Sequence, residues 1–232
     1  GKDLRNIGVT TVRMKGHKVA GVDYRIVPLA DYEPDILYQK QVEAYYADPG
    51  LNKPVGRFGN AADKWGLANW MAAAVADEAD ADVGFYHIGG VRLDSIPAGG
   101  VSAAKVYGLE PFGTLVARME MTPAQMRRMI VSKYNDPVNA KEAHRIDLIS
   151  TTPYVIVTDA ADNALDVQFP KLREGRKYKV AVSDYIYRNY KDMEYTGGEI
   201  TVEKVADILL EELRDDSPLK IDNTPRQRVV RK

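Results

Sequence analysis

The hydrophobic pattern of this chain changes period repeatedly along its length, and that alternation limits the folds open to it. Residues 5–14 and 18–27 read as two strands. In the second, Ala20, Val22, Tyr24 and Ile26 alternate with Gly21, Asp23 and Arg25, the period of a half-buried strand. Lys15-Gly16-His17 between them makes the pair a hairpin. Pro28 and Pro34 bracket a link into a helix over about 34–47, where Tyr38, Val42 and Tyr45 share one face. A second helix, about 61–78, sets Trp65, Ala68, Ala72, Val75 and Ala79 in a stripe of mostly small residues, suited to close packing on a sheet.

Residues 81–87 read as a short buried strand running into the loop Ile88-Gly89-Gly90-Val91-Arg92. A short helix near 101–107 precedes Pro111-Phe112-Gly113 and a strand through Leu115, Val116 and Met119. Thr122-Pro123-Ala124-Gln125 carries the cap, the early proline and the reciprocal glutamine of a helix start, with Met126, Met129 and Ile130 facing the core. Strands follow at about 153–158 and 177–183, with the cluster 159–163 as a turn. The last helix, about 201–213, is expected to open at Thr201 and to bury Val202, Val205, Leu209 and Leu213. Ser217-Pro218 ends it, and Arg228-Val229-Val230 supplies a closing strand. Strands and helices without strict βαβ alternation imply an α+β fold, helices packed on mixed sheets.

Composition excludes several kinds of chemistry. The 232 residues are 45% hydrophobic, enough for one large core or two small ones. Lys and Arg number 32 against 33 Asp and Glu, so a broad basic surface for nucleic acid is excluded. The absence of cysteine removes disulfides, thiolate zinc sites, iron–sulfur clusters and cysteine nucleophiles. No apolar run approaches the roughly 20 residues of a membrane helix. The chain opens at Gly1-Lys2-Asp3 with no visible signal peptide, and an initial Gly without Met is expected to mark a mature end or a tag scar.

His17, His87 and His144 are far apart and lack metal-ligand spacing, and no nucleophile elbow, Walker-A loop or dinucleotide fingerprint is present. Three segments do carry chemistry. Gly89 and Gly90 follow a buried strand and let backbone N–H groups approach a ligand, while Arg92 adds a fork suited to phosphate or carboxylate. A tight turn with a surface arginine explains the same residues. Phe112, between Pro111 and Gly113, suits either a stacking ring or a core plug. The stretch 183–192 crowds Tyr185, Tyr187 and Tyr190 after a buried strand, as a second aromatic wall or an interface patch.

Taken in order, these segments resemble the C-terminal domain of the 5'-nucleotidase family, which includes bacterial UDP-sugar hydrolases and 2',3'-cyclic-nucleotide phosphodiesterases. The resemblance rests on Ile88-Gly89-Gly90-Val91-Arg92, Ile96-Pro97-Ala98-Gly99-Gly100-Val101-Ser102 and Pro111-Phe112-Gly113. It covers most of residues 31–232, with Trp65-Gly66-Leu67 through Ala74 and the 202–218 segment similar to two of the family's helices. Residues 1–30 resemble the β-hairpin tail and linker of a preceding metallophosphatase domain. The resemblance implies a domain that binds base and sugar. Two divalent metal ions and a catalytic His-Asp pair would lie in an N-terminal domain or partner subunit, which this chain lacks. It therefore implies no catalytic and no metal-binding residue here.

Carried over position by position, Arg92 matches the loop arginine that contacts polar groups of the substrate, Phe112 the first base-stacking aromatic and Tyr185 the second. Gly89 and Gly90 belong to the same loop. His87 stands where the family usually has a base-reading Asn, and Ile88 replaces the first loop glycine. Asp192 matches a ribose-binding Asp if one residue is inserted, and Arg57 is a loose counterpart of an upstream substrate arginine. The resemblance implies the recognition domain of a periplasmic or extracellular bacterial nucleotide phosphohydrolase, its export signal outside this chain. The alternatives are a stand-alone, non-catalytic nucleoside- or nucleotide-binding module and a surface interaction domain reusing the fold.

Overall fold

The structure, a computed structural model, describes residues 5–47, 49–141 and 145–232. Gly1 and His144 lie outside the described residues. The chain divides into two units, Gly1–Asp48 and Pro49–Lys232.

In the first unit, β1 (Asn6–Lys15) pairs antiparallel with β2 (Lys18–Pro28). The register sets Gly8 opposite Ile26, Thr10 opposite Tyr24 and Val12 opposite Val22, so these share one face. Thr11 and Asp23 share the other, where Arg13 pairs with Asp23. The two-residue period holds, but the half-burial expected of it does not: Val12, Val22, Tyr24 and Ile26 are all exposed. A two-stranded ribbon has only one layer and cannot cover its own apolar face. Helix α1 (Ile36–Tyr46) starts at Asp35, whose carboxylate accepts from the N–H groups of Leu37 and Tyr38.

The second unit opens with α2 (Pro49–Asn52), β3 (Pro54–Phe58), β4 (Ala62–Asp63), α3 (Lys64–Glu78) and β5 (Val83–His87). After these come β6 (Ser95–Ile96), β7 (Gly99–Ser102), α4 (Ala103–Leu109), β8 (Leu115–Met121), α5 (Pro123–Tyr134), β9 (Leu148–Ser150) and β10 (Tyr154–Thr158). The order finishes with β11 (Ala164–Gln168), β12 (Tyr178–Ser183), α6 (Asp184–Asn189), β13 (Thr196–Lys204), α7 (Val205–Asp215) and β14 (Gln227–Arg231). The principal sheet runs β13-β8-β12-β5-β9. Only its β12–β5 pairing is parallel, with Val180 beside Val83 and Val182 beside Phe85. A second sheet, β11-β10-β14, pairs β10 and β14 in parallel, and β3–β7 and β4–β6 are two-stranded ribbons. This is the α+β, mixed-sheet architecture that the sequence implies, preceded by the hairpin.

The principal sheet carries a core on each face, with its edge strand β13 largely exposed. Tyr86, Val116 and Ala181 enter one core with α3, α4 and α7; Val83, Phe85, Ala117, Met119, Val180 and Val182 enter the other with α5 and α6. Buried residues of β5, β8, β9 and β12 thus divide between opposite cores, as the pleat requires. Helix α3 sits against β5 so closely that a Cβ on Gly84 would stand 2.1 Å from the Ala72 carbonyl oxygen. The stripe read from the sequence underestimates this helix, in which Leu67, Trp70 and Met71 are buried as well.

One further expectation is corrected. The final helix starts at Val205, not Thr201, and Val202 is 84% exposed while Val205, Leu209 and Leu213 are fully buried. The β-branched run Ile200-Thr201-Val202 continues β13 along β8, with Ile200 beside Ala117, and the Thr201 hydroxyl donates to the Val116 carbonyl rather than capping a helix. The aromatic segment after β12 is a helix, α6. Ser183 Oγ caps it by accepting from the Ile186 N–H, and Asp184 in the first turn and Arg188 in the last complement its dipole.

Gly84→Ala is expected to destabilise the domain by about 1–3 kcal/mol, since the helix and strand must move apart to admit one methyl group. Denaturant unfolding of the variant measures it; an unchanged midpoint would contradict this packing.

Candidate functional site

Three segments reach the same end of the principal sheet. Because β5 and β12 run parallel and β8 antiparallel to β12, the loop after β5, the start of α6 and the loop before β8 lie together, with Ser183 opposite Val116. These carry His87, Gly89, Gly90 and Arg92; Tyr185; and Phe112.

The loop after β5 is a single 3-10 turn over Ile88–Gly90. Its N–H at Ile88 donates to the Asp147 carbonyl at 2.8 Å, and Lys64 Nζ donates to the Val91 carbonyl at 3.0 Å. Gly90 is buried over the edge of the His87 imidazole, where an added Cβ would lie 2.5 Å from Cε1. Gly89 is exposed and its carbonyl accepts from Arg92 Nη1 at 3.4 Å. The guanidinium carbon of Arg92 lies 5.7 Å from the centroid of the Phe112 ring, within cation–π range, and leaves most of its donors to solvent. Phe112 itself is 60% exposed, so it is not a core plug.

Across the site, Tyr86, His87 and Tyr185 form a column of rings. Centroids are 5.3 Å apart for Tyr86–His87 and 4.6 Å for His87–Tyr185, with interplanar angles of 24° in both pairs. Tyr185, the outermost ring, is 49% exposed. Tyr190 meets it edge-on at 6.3 Å and donates its hydroxyl to the Asp147 carboxylate. Lys133 Nζ lies 5.0 Å over the Tyr190 ring and 3.8 Å from Asp147 Oδ2. Phe112 and Tyr185 are therefore each backed on one face, by Arg92 and by His87.

The electrostatics of the column follow from its burial. His87 is held down to about 4, by desolvation first and by the Lys133 charge second, so it is a neutral imidazole at neutral pH. Its Nδ1 is buried without a hydrogen-bond partner. His87 thus turns a ring face, not a polar edge, toward Tyr185. Burial and then the Glu110 charge push the Tyr86 phenol up, and burial and then the Asp147 charge do the same for Tyr190. Both of these buried phenols stay protonated.

The remaining candidates stand on other elements. Asp192 has a φ of 55° and accepts from Ser132 Oγ of α5 at 2.6 Å. Arg57 lies on β3 opposite Gly100, its N–H donating to Ser217 Oγ at 2.9 Å. The open depression beside it is lined by Pro54, Val55, Gly56, Arg57, Gly100 and Ser217, and apart from Arg57 none of these is a candidate. Sequence reasoning missed Tyr86, Glu110, Lys133 and Asp147. Glu110 offers a signal, a charged residue inside the run Leu109-Glu110-Pro111-Phe112; Lys133 and Asp147 offer none, because only the fold brings them to Tyr190.

The linkage of His87 has a definite sign. Its folded value of about 4 lies below the ordinary 6.5, so protonation favours the unfolded chain. The stability that the neutral ring contributes is full above pH 6.5 and is lost as pH falls toward 4, by up to about 3 kcal/mol. Nuclear magnetic resonance titration of the imidazole should give a midpoint near 4 and, in His87→Phe, a shallower loss of stability over that window. A midpoint near 6.5 would contradict the buried column.

Comparison with known proteins agrees with this architecture. The family model described as "5'-nucleotidase, C-terminal domain" matches residues 51–196. No curated protein sequence matches significantly. Among solved structures, a 5'-nucleotidase precursor from Thermus thermophilus aligns with a TM-score of 0.70 at 16% identity, over 97% of this chain and 50% of that one. The NAD nucleotidase of Haemophilus influenzae aligns at 0.63 and 14% identity, over 87% and 42%. The sulfate thiohydrolase SoxB of Thermus thermophilus aligns at 0.59 and 15%, over 97% and 45%. At such identities the likeness is one of fold, and the chain spans about half the length of these structures or less. On the match of its central 51–196 segment, the chain belongs to the 5'-nucleotidase C-terminal domain family.

Proposed function

We propose that this chain is the substrate-recognition part of a metal-dependent nucleotide phosphohydrolase. A nucleobase stacks between the free faces of Phe112 and Tyr185, and Arg92 holds ribose, phosphate or carboxylate oxygens with the donors it does not spend on Gly89. The observation that carries the reading is the placement of two exposed rings, Phe112 and Tyr185, at one end of the sheet, each with a nitrogen-bearing group against one face. Such backing leaves one stacking surface per ring, and two walls tolerate any base. Fold alone does not select a nucleotide, because the sulfate thiohydrolase shares it; the two exposed rings support that choice of ligand.

In this reading the chemistry of phosphate cleavage would be supplied by divalent metal ions held in another domain or subunit. Among the described residues no group of three His, Asp or Glu is placed to hold a metal ion. The chain's own part is to bind the base, orient the attached phosphate and exclude water from one side of it. The exposed apolar face of the hairpin, Val12, Val22, Tyr24 and Ile26, supports docking of that metal-bearing partner, since a lone ribbon gains stability only when covered. No described helix is long and apolar enough to cross a membrane. A periplasmic or extracellular setting is part of the proposal.

Calorimetric titration with adenosine, AMP and UDP-glucose tests the site. Phe112→Ala and Tyr185→Ala should each weaken adenosine binding by roughly 1–3 kcal/mol, and Arg92→Ala should weaken AMP more than adenosine. Failure of all three ligands to bind at millimolar concentration would overturn the reading. The chain alone, supplied with divalent metal ions, should hydrolyse no AMP; clear phosphate release would show that the metal site lies within it.

A further inference from the structure

The two rings of the proposed stacking site come from segments distant in sequence, yet both are tethered to one short piece of backbone. Glu110 is buried, 1% exposed, and both of its carboxylate oxygens are used. Oε1 accepts from the Phe112 N–H at 3.3 Å and from Thr114 Oγ1 at 2.6 Å, while Oε2 accepts from the Thr114 N–H at 3.3 Å. From the other side, Asp184 Oδ1 accepts from the Leu115 N–H at 3.2 Å. The next residue after Asp184 is Tyr185. Two carboxylates thus hold the N–H groups of residues 112, 114 and 115, and each sits beside one of the two rings.

Ordinary stability does not account for Glu110. A leucine or methionine of similar volume would fill the same space without desolvating a charge, and buried ions are seldom retained for stability alone. What the carboxylate supplies is direction, because charge-assisted bonds fix a turn that apolar packing would leave loose. Asp184 has a second occupation, the Arg188 guanidinium at 3.3 Å and the first turn of α6, but neither calls for its contact with Leu115. The Thr114 carbonyl is also engaged, by the Val205 N–H at 2.8 Å, so the clamped stretch is held from three elements.

We propose that Glu110 and Asp184 are positioning residues that together set the separation of Phe112 and Tyr185. They touch no ligand and act through the backbone of 112–115. The inference rests on the proposed stacking site for its consequence, though not for the clamp itself.

The experiment has two arms. Amide hydrogen exchange should speed up about tenfold or more at one of Phe112 and Thr114 in Glu110→Gln, whose amide keeps a single acceptor oxygen for the two N–H groups, and at Leu115 in Asp184→Ala, the scale of one lost hydrogen bond. Asp184→Asn, which keeps an acceptor oxygen, should restore Leu115, and exchange in β12 should stay as in the wild type. Unprotected amides at all three positions in the wild type, or unchanged rates in both variants, would overturn the clamp. In the second arm, Glu110→Gln should weaken adenosine binding about threefold or more, and by nothing further once Phe112 is Ala. An equal loss with and without Phe112 would show that Glu110 acts elsewhere. Should the wild-type chain bind no adenosine, the proposed function fails and the exchange arm alone decides the clamp.

Discussion

Everything at the candidate site depends on one pairing, the parallel contact of β5 with β12 inside a sheet that is otherwise antiparallel. Parallel neighbours end at the same edge, so the residues that follow each strand emerge side by side. Strand β8, antiparallel to β12, begins where they end. Three loops from three parts of the chain therefore converge without any long connection. Two cores, one on each face, divide the buried residues of β5, β8, β9 and β12 and lock the register. A slip of one residue would exchange the contents of the two cores, so packing fixes where the loops begin.

On this scaffold the site is built from flat surfaces, with few buried polar contacts facing the solvent side. Tyr86 and His87 form an inner stack that is protonically quiet at neutral pH: the imidazole is neutral and the phenol protonated. Tyr185 rests on that stack and so presents a single face outward. Phe112 rests on Arg92 in the same manner. The cation retains free donors beside the ring, which suits a ligand that joins an aromatic base to anionic oxygens. The polar anchors lie beneath, in Glu110, Asp184 and Asp147, and serve to orient backbone and rings.

Much of this was legible in the sequence, for reasons that can be stated residue by residue. Thr122 through Gln125 announced a capping box because its chemistry is local, and the box is present. The strand ending at His87 and the turn before Arg92 were readable from a buried apolar run stopped by glycines. The start of α7 is not legible, because Val202 satisfies helical spacing with Leu209 while its neighbours prefer strand, and only pairing to β8 makes the segment a strand. The Tyr185 segment hid its helix because three tyrosines obscure a capping serine. Short strands such as β3, β7 and β11 carry too few residues to show a period. The partnership of Lys133, Asp147 and Tyr190 has no sequence signal, being a product of tertiary folding alone.

The central claim is that Phe112 and Tyr185 act as the two walls of one slot. Nuclear magnetic resonance of protein labelled at its 4 phenylalanines and 14 tyrosines, titrated with adenosine, tests this most directly. The ring signals of Phe112 and Tyr185 should move upfield together and saturate with a single affinity, while those of buried Phe58 and Phe85 stay fixed. Movement of one ring without the other, or shifts confined to the depression beside Arg57, would contradict the account.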